Sequence, residues 1–143
     1  MKTFERKGWY RLELPDGWEE VEGEEPLTFV PPEGEGMLQV TVQDPRALKP
    51  GEQVDPALLL VTFLKQIGVT LGPVGTRSYR AGGQDWAAAE WTEESADSGR
   101  LSWRGWIATD QDLFAFLTYA CPAGREEADR ADVEAILGSF RLG

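Results

Sequence analysis

The sequence predicts an α+β fold: an antiparallel β-sheet sandwiched between helices, with elements in the order ββββ-α-ββββ-α. Three observations predict it. Short apolar segments alternate in polarity with a period of two and are separated by Gly- and Pro-containing turns, the pattern of antiparallel strands joined by tight connections. A central segment and a C-terminal segment instead space their apolar residues at helical intervals. The run from Leu113 to Cys121 is apolar at both parities, whereas the opening strands alternate cleanly. The centre of the sheet is therefore expected to be covered on both faces and its margin on one.

After a short polar lead, WYRLELP sets Leu12 and Leu14 on one side and Arg11 and Glu13 on the other, a half-buried first strand. In Pro15-Asp16-Gly17 the proline fixes φ and the glycine is free to take φ > 0, so the chain is expected to reverse into a second strand, WEEVE, starting at Trp18. LTFV and MLQVTVQ follow, divided by PPEGEG, with Leu38, Val40 and Val42 on one face; together these make an opening meander. Asp55 is a good N-cap and Pro56 suits a first helical position, after which Leu59, Leu60, Phe63, Leu64 and Ile67 recur at helical spacing up to Gly68. Four further strands are expected in TRSYRA, QDWAAAEWTE, RLSWRGWIAT and LFAFLTYAC, the first three divided by GG and ESADSG. From Arg125 to Phe140 the pattern is helical again, with Val133, Ile136, Leu137 and Phe140 on one stripe. No repeat or linker divides the chain, so a single domain over residues 1–143 is expected.

With 25 Asp and Glu against 14 Lys and Arg, the chain carries a net charge of −11, which repels the phosphate backbone that supplies most nucleic-acid affinity. Nucleic acid and anionic membranes are thus poor partners; the acidity serves solubility, and a basic partner stays open. The N-terminal MKTFERKGWYRLELP scatters charges where a secretory signal needs an apolar stretch, and no window approaches a membrane span, so a cytoplasmic protein without membrane insertion is expected. A lone cysteine excludes an intramolecular disulfide, in keeping with a reducing compartment.

Three pieces, YRLELPDGW, GEGMLQVTV and VEAILGSFRL after an aromatic strand, resemble in order and spacing the PsbP-like superfamily, including its bacterial DcrB-like branch. The resemblance covers nearly the whole chain. It implies an antiparallel sheet between helices and a binding or assembly module, as in an extrinsic photosystem subunit, a Ran-binding factor and secretion-effector chaperones. It supplies no shared catalytic motif. The chain departs from many bacterial relatives in lacking a lipoprotein-type leader, which weighs against an envelope role.

The absence of histidine removes the usual general base, Ser-His and Cys-His nucleophile pairs and imidazole metal ligands. Cys121 shares strand parity with Leu117 and Tyr119, an apolar face on which cysteine packs as a small hydrophobe; the alternative is a thiolate promoted by Arg125 or the start of the last helix. Glu90 shares a side with Trp86 and Ala88; it either faces solvent or pairs with an arginine such as Arg104, or it is a semi-buried acid beside an aromatic wall. The acidic clusters lack calcium-loop spacing, and neither GxxxxGK[ST] nor GxGxxG occurs, so no metal or cofactor is expected.

Six tryptophans remain to be placed. Trp103 points with Leu101 and Ile107, and Trp106 with Arg104 and Ala108, while Trp86 and Trp91 also oppose one another, so both sheet faces carry indole. These rings either pack under the two helices or line an aromatic cleft beside the small residues Ala87, Ala88, Ala89 and Gly105. The candidate ligand- or partner-binding set is Trp86, Glu90, Trp91, Trp103, Arg104 and Trp106, with no catalytic and no metal-binding residue assigned. The function that follows is a small non-catalytic binding or adaptor module, chaperone-like, for a protein or a small hydrophobic ligand; a homodimer is compatible with it. The rival is a minor enzyme or carrier using Glu90 or Cys121 in a pocket.

Overall fold

In the computed structural model, residues 2–6, 8–21, 27–32, 36–43, 55–69, 75–95, 99–110 and 114–142 are described. In chain order the elements are β1 (Lys2–Arg6), β2 (Tyr10–Leu14), β3 (Glu19–Val21), β4 (Leu27–Val30), β5 (Met37–Gln43), α1 (Pro56–Gln66), β6 (Thr76–Ala81), β7 (Gln84–Ser95), β8 (Gly99–Thr109), β9 (Phe114–Pro122), α2 (Arg130–Ser139) and β10 (Arg141–Leu142). A seven-stranded sheet runs in the order β3-β4-β5-β9-β8-β7-β6, and a three-stranded sheet in the order β1-β2-β10. Every pairing between these strands is antiparallel. The fold is thus the α+β class that the periodicities predict.

Three features depart from the expected element order. The polar lead is itself a strand: Lys2–Arg6 pairs along β2, with Phe4 opposite Leu12. Only Phe4 in that segment is apolar, so no alternation announces it, yet its ring meets Phe29 edge-on at 5.0 Å. The turn at Pro15-Asp16-Gly17 does form, with Trp18 N–H donating to the Pro15 carbonyl and Gly17 at φ +89°. It does not close a hairpin; it carries the chain from the small sheet into the large one, so the opening meander is split. A side chain at Gly17 would begin 2.7 Å from Pro32 Cγ, which is why the residue there has none. Finally, the chain end forms β10, and Gln84, almost fully buried, fastens it by donating to the Phe140 carbonyl at 3.0 Å and accepting from Leu142 N–H at 2.7 Å.

The helices form as their caps and stripes require. The Asp55 side chain accepts a hydrogen bond from Ala57 N–H at 3.0 Å, and Pro56 occupies the first helical position. α1 buries Leu60 and Leu64 against Ala87, Ala89 and Ile107 on one face of the large sheet. α2 starts at Arg130, not Arg125, because residues 126–129 form turns and the Asp129 carboxylate accepts from the Tyr119 hydroxyl instead of capping the helix. Its stripe is the expected one: Val133, Ile136 and Phe140 are fully buried and Leu137 is partly so, in a core shared with Tyr10, Leu12, Trp86, Trp106 and Leu117. The small sheet and α2 therefore cover the face opposite α1.

Phe140 stacks on Tyr10 at 5.5 Å and meets Trp86 edge-on at 5.9 Å, so one ring ties α2, the small sheet and the large sheet together. Replacing it by alanine is expected to cost about 3–5 kcal/mol in urea unfolding, as aromatic truncation in a filled core does. A loss within about 0.5 kcal/mol, the range of a surface substitution, would show that this junction does not hold the layers together.

Candidate ligand groove

β7 and β8 pair in register from Asp85 opposite Thr109 to Ser95 opposite Gly99, without a bulge at Gly105. Alternate residues of each strand therefore face α1 and α2 in turn. Toward α1 this places Trp91 directly opposite Trp103, and the two indoles stack with centroids 5.9 Å apart and planes 7° from parallel. Gly105 makes this possible: a Cβ there would stand 3.0 Å from Cζ3 and 3.1 Å from Cη2 of Trp91, so only a bare backbone lets the ring lie down on the sheet.

The stacked pair walls a groove of about 380 Å³. Phe116 and Thr118 of β9 and Gln39 and Thr41 of β5 extend its floor, Ile67 and Val69 close it where α1 ends, and Glu93 stands at its rim. The lining is mainly apolar with a few polar side chains, the usual make-up of a small-ligand site. Two donors within the wall are unsatisfied: the ring nitrogens of Trp91 and Trp103 are buried and have no hydrogen-bond partner among the described residues. By contrast, the Trp86 indole donates to the Ala81 carbonyl at 3.2 Å and that of Trp18 to Asp132 at 3.0 Å.

The six residues singled out from the sequence do not form one site. Trp91 and Trp103 belong to the groove, while Trp86, Glu90, Arg104 and Trp106 lie on the α2 side, as their parity requires. Trp86 and Trp106 are each 2% exposed and belong to the core. Neither ring is available as an open partner surface, which answers the choice between packing and cleft in favour of packing for these two. Glu90 pairs with Arg104 directly across the ladder, Oε1 to Nε 3.5 Å, with its own side chain 68% exposed, so it is not a semi-buried acid. Sequence reading missed Gln39, Thr41, Phe116 and Thr118, which reach the groove only because β5 pairs with β9 across a long stretch of chain. The one available signal was the apolar residue at both parities of β9.

Cys121 is 2% exposed, on the face of β9 that carries Leu117 and Tyr119. Burial pushes its thiol up, and the hydrogen bond with Tyr119 only partly opposes this. Burial, together with the hydrogen bond to Asp129, holds the Tyr119 phenol well above its ordinary value. The cysteine is a packing residue. Among the described residues, no group of three or more His, Cys, Asp and Glu is placed to hold a metal ion, and no helix is long and apolar enough to cross a membrane.

No protein-family model and no curated protein sequence matches this chain. Solved structures do match. Cyanobacterial PsbP from Synechocystis sp. PCC 6803 superposes with a TM-score of 0.70 at 15% identity, over 99% of this chain and 92% of that one. LpqN, involved in cell envelope biogenesis of Mycobacterium tuberculosis, gives a TM-score of 0.68 at 11% identity, over 93% and 82% of the two chains. A protein of Bacteroides thetaiotaomicron gives 0.70 at 16% identity over 99% of this chain, which spans only 48% of that longer one.

The protonated forms of Tyr119 and Cys121 are favoured by folding, so their contribution is complete below the ordinary values of 10.0 and 9.0 and is lost as pH rises beyond them. Unfolding free energy is expected to fall steadily above about pH 9, and Tyr119→Phe is expected to flatten that decline. Stability that holds level through pH 10 in the parent chain would contradict the assigned environments.

Proposed function

The fold is PsbP-like, and we propose that this chain is a small non-catalytic binding or adaptor module. It holds an apolar group in the groove beside Trp91 and Trp103, presented by a small hydrophobic ligand or by a protein partner. Fold alone does not choose a function. The observation that carries this reading is the mainly apolar groove walled by two stacked indoles whose ring nitrogens have no hydrogen-bond partner among the described residues.

A buried donor without a partner costs about 1–3 kcal/mol, so each such group calls for a physical reason. A ligand with an apolar body would remove Phe116, Ile67 and the indole faces from water; the indole N–H groups are closed to solvent, so an acceptor oxygen on that ligand would satisfy one only by shifting the ring edge. The volume of about 380 Å³ lies within the range of small-molecule sites. Glu93 at the rim, in a chain of net charge −11, disfavours an anionic occupant, so the ligand group is neutral or basic. The enzymatic alternative has less support: Cys121 is buried on the other face and Glu90 is exposed and paired with Arg104.

The test is a titration of the chain with an uncharged naphthylamine dye. Trp91→Ala and Phe116→Ala are expected to weaken dye binding at least about tenfold, a loss of roughly 1.4 kcal/mol, with the far-UV spectrum of the folded protein retained. Unchanged affinity in both folded variants would place the ligand elsewhere.

A further inference from the structure

Arg104 projects from β8, in the middle of the large sheet, directly opposite Glu90 on β7 and Tyr119 on β9. Its side chain is only 13% exposed. A guanidinium carries five N–H donors, yet among the described residues this one has a single polar partner, the exposed Glu90 carboxylate at 3.5 Å, which is a loose ion pair and too long for a charge-assisted hydrogen bond. The Trp106 ring lies 4.8 Å from its central carbon and covers the guanidinium without accepting its protons. A half-buried cation is thus left with most of its donors unused.

A second arginine faces the same space. Arg77 on the edge strand β6 is opposite Ala88, and Ala88 is opposite Trp106, so Arg77 and Arg104 share one face with small Ala88 between them. Arg77 leans on the Tyr79 ring at 5.6 Å. The depression between the two arginines, about 380 Å³, is lined by Thr76, Ala88, Glu90 and Trp106 and continues into a second one of about 220 Å³ beside Tyr79 and Glu134. Both arginines line both parts. Such convergence is notable in a chain with 14 basic against 25 acidic residues.

We propose that this depression is a second binding site, independent of the aromatic groove, for a small oxyanion held by Arg104 and Arg77. Glu90 acts as the intramolecular occupant that the ligand displaces: its long contact and high exposure make it a weak competitor. Two charged groups besides Glu90 face the site. Glu134 is a standing negative charge, and Arg130 is engaged with Glu127 at 3.0 Å. Desolvation first, then Arg130 and Arg77, lowers the proton affinity of Arg104, while Glu90 and Glu134 raise it, so the cations crowd one another in the absence of an anion. Facing Glu134, a monoanion meets less repulsion than a dianion, and the partly exposed Tyr79 ring offers apolar surface to the body that carries it. A monocarboxylate on an apolar or aromatic body therefore fits better than inorganic phosphate.

The experiment titrates the full chain at low chloride with benzoate and, separately, with inorganic phosphate, following the Arg104 Nε–H resonance by NMR. A saturable shift is expected, tighter with benzoate. Arg104→Gln, followed through the Arg77 resonance, is expected to weaken binding at least about tenfold, and Arg77→Gln several-fold. Glu90→Gln should tighten it several-fold, because the internal competitor is gone, and Trp9→Phe, outside both sites, should change nothing. Arg77 and Glu90 are exposed, so their variants test the proposal even if Arg104→Gln fails to fold. Tighter binding of phosphate than of benzoate would keep the oxyanion site and overturn its carboxylate preference. Absence of saturation with either anion, or unchanged affinity in Glu90→Gln, would overturn the site itself.

Discussion

The register of β7 against β8 is the constraint on which the rest depends. Over Trp86–Ala89 and Gly105–Thr109 the two strands are covered on both faces, by α1 on one side and by α2 with the small sheet on the other. In a sheet buried on one face, a slip by one residue exposes one hydrophobic set. Here it would exchange both sets of the strand that slips: a slip of β7 would drive Trp86 under α1, where Leu60 packs against Ala87 and Ala89, and a slip of β8 would drive Trp106 there and turn Arg104 toward that apolar layer. The consecutive alanines and Gly105 are small for this reason: bulky side chains alternate with small ones so that each layer finds space.

That register also separates the two sites. Facing pairs on the ladder, Trp91 with Trp103 and Glu90 with Arg104, are adjacent in sequence yet point to opposite sides. One side collects unsatisfied neutral donors beside apolar walls; the other collects cations beside small residues. Other buried polar groups among the described residues are partnered in ways that hold the fold. Gln84 uses both ends of its amide to hold the chain terminus, and the Trp18 and Trp86 indoles each have an acceptor. Against that pattern, the unpaired nitrogens of Trp91 and Trp103 and the under-used guanidinium of Arg104 mark places where the fold accepts a cost that packing alone does not require.

Local signals were legible. Asp55-Pro56 named the start of α1, the Val133–Phe140 stripe named the buried face of α2, and strand parity placed the indoles on their observed sides. Signals that depend on tertiary pairing were not. Phe4 alone could not announce β1, and nothing local shows that β2 leaves the meander to pair with the chain end. The groove was half visible: Trp91 and Trp103 were named, but the β5 and β9 residues that complete it come together through a pairing distant in sequence. Parity assigns a face but not its depth, so Trp106, with the same composition around it as Trp91, could not be read as core before α2 was seen to cover it.

The facing of Trp91 and Trp103 fixes the register, the groove and the side on which Arg104 lies. Two indoles stacked at 5.9 Å couple their electronic transitions and give a bilobed circular-dichroism couplet. Trp91→Phe or Trp103→Phe should each abolish that couplet, while Trp9→Phe, which alters a partly exposed ring outside the ladder, should leave it intact. A couplet that survives both ladder substitutions, or one lost with Trp9, would contradict the register from which both sites are derived.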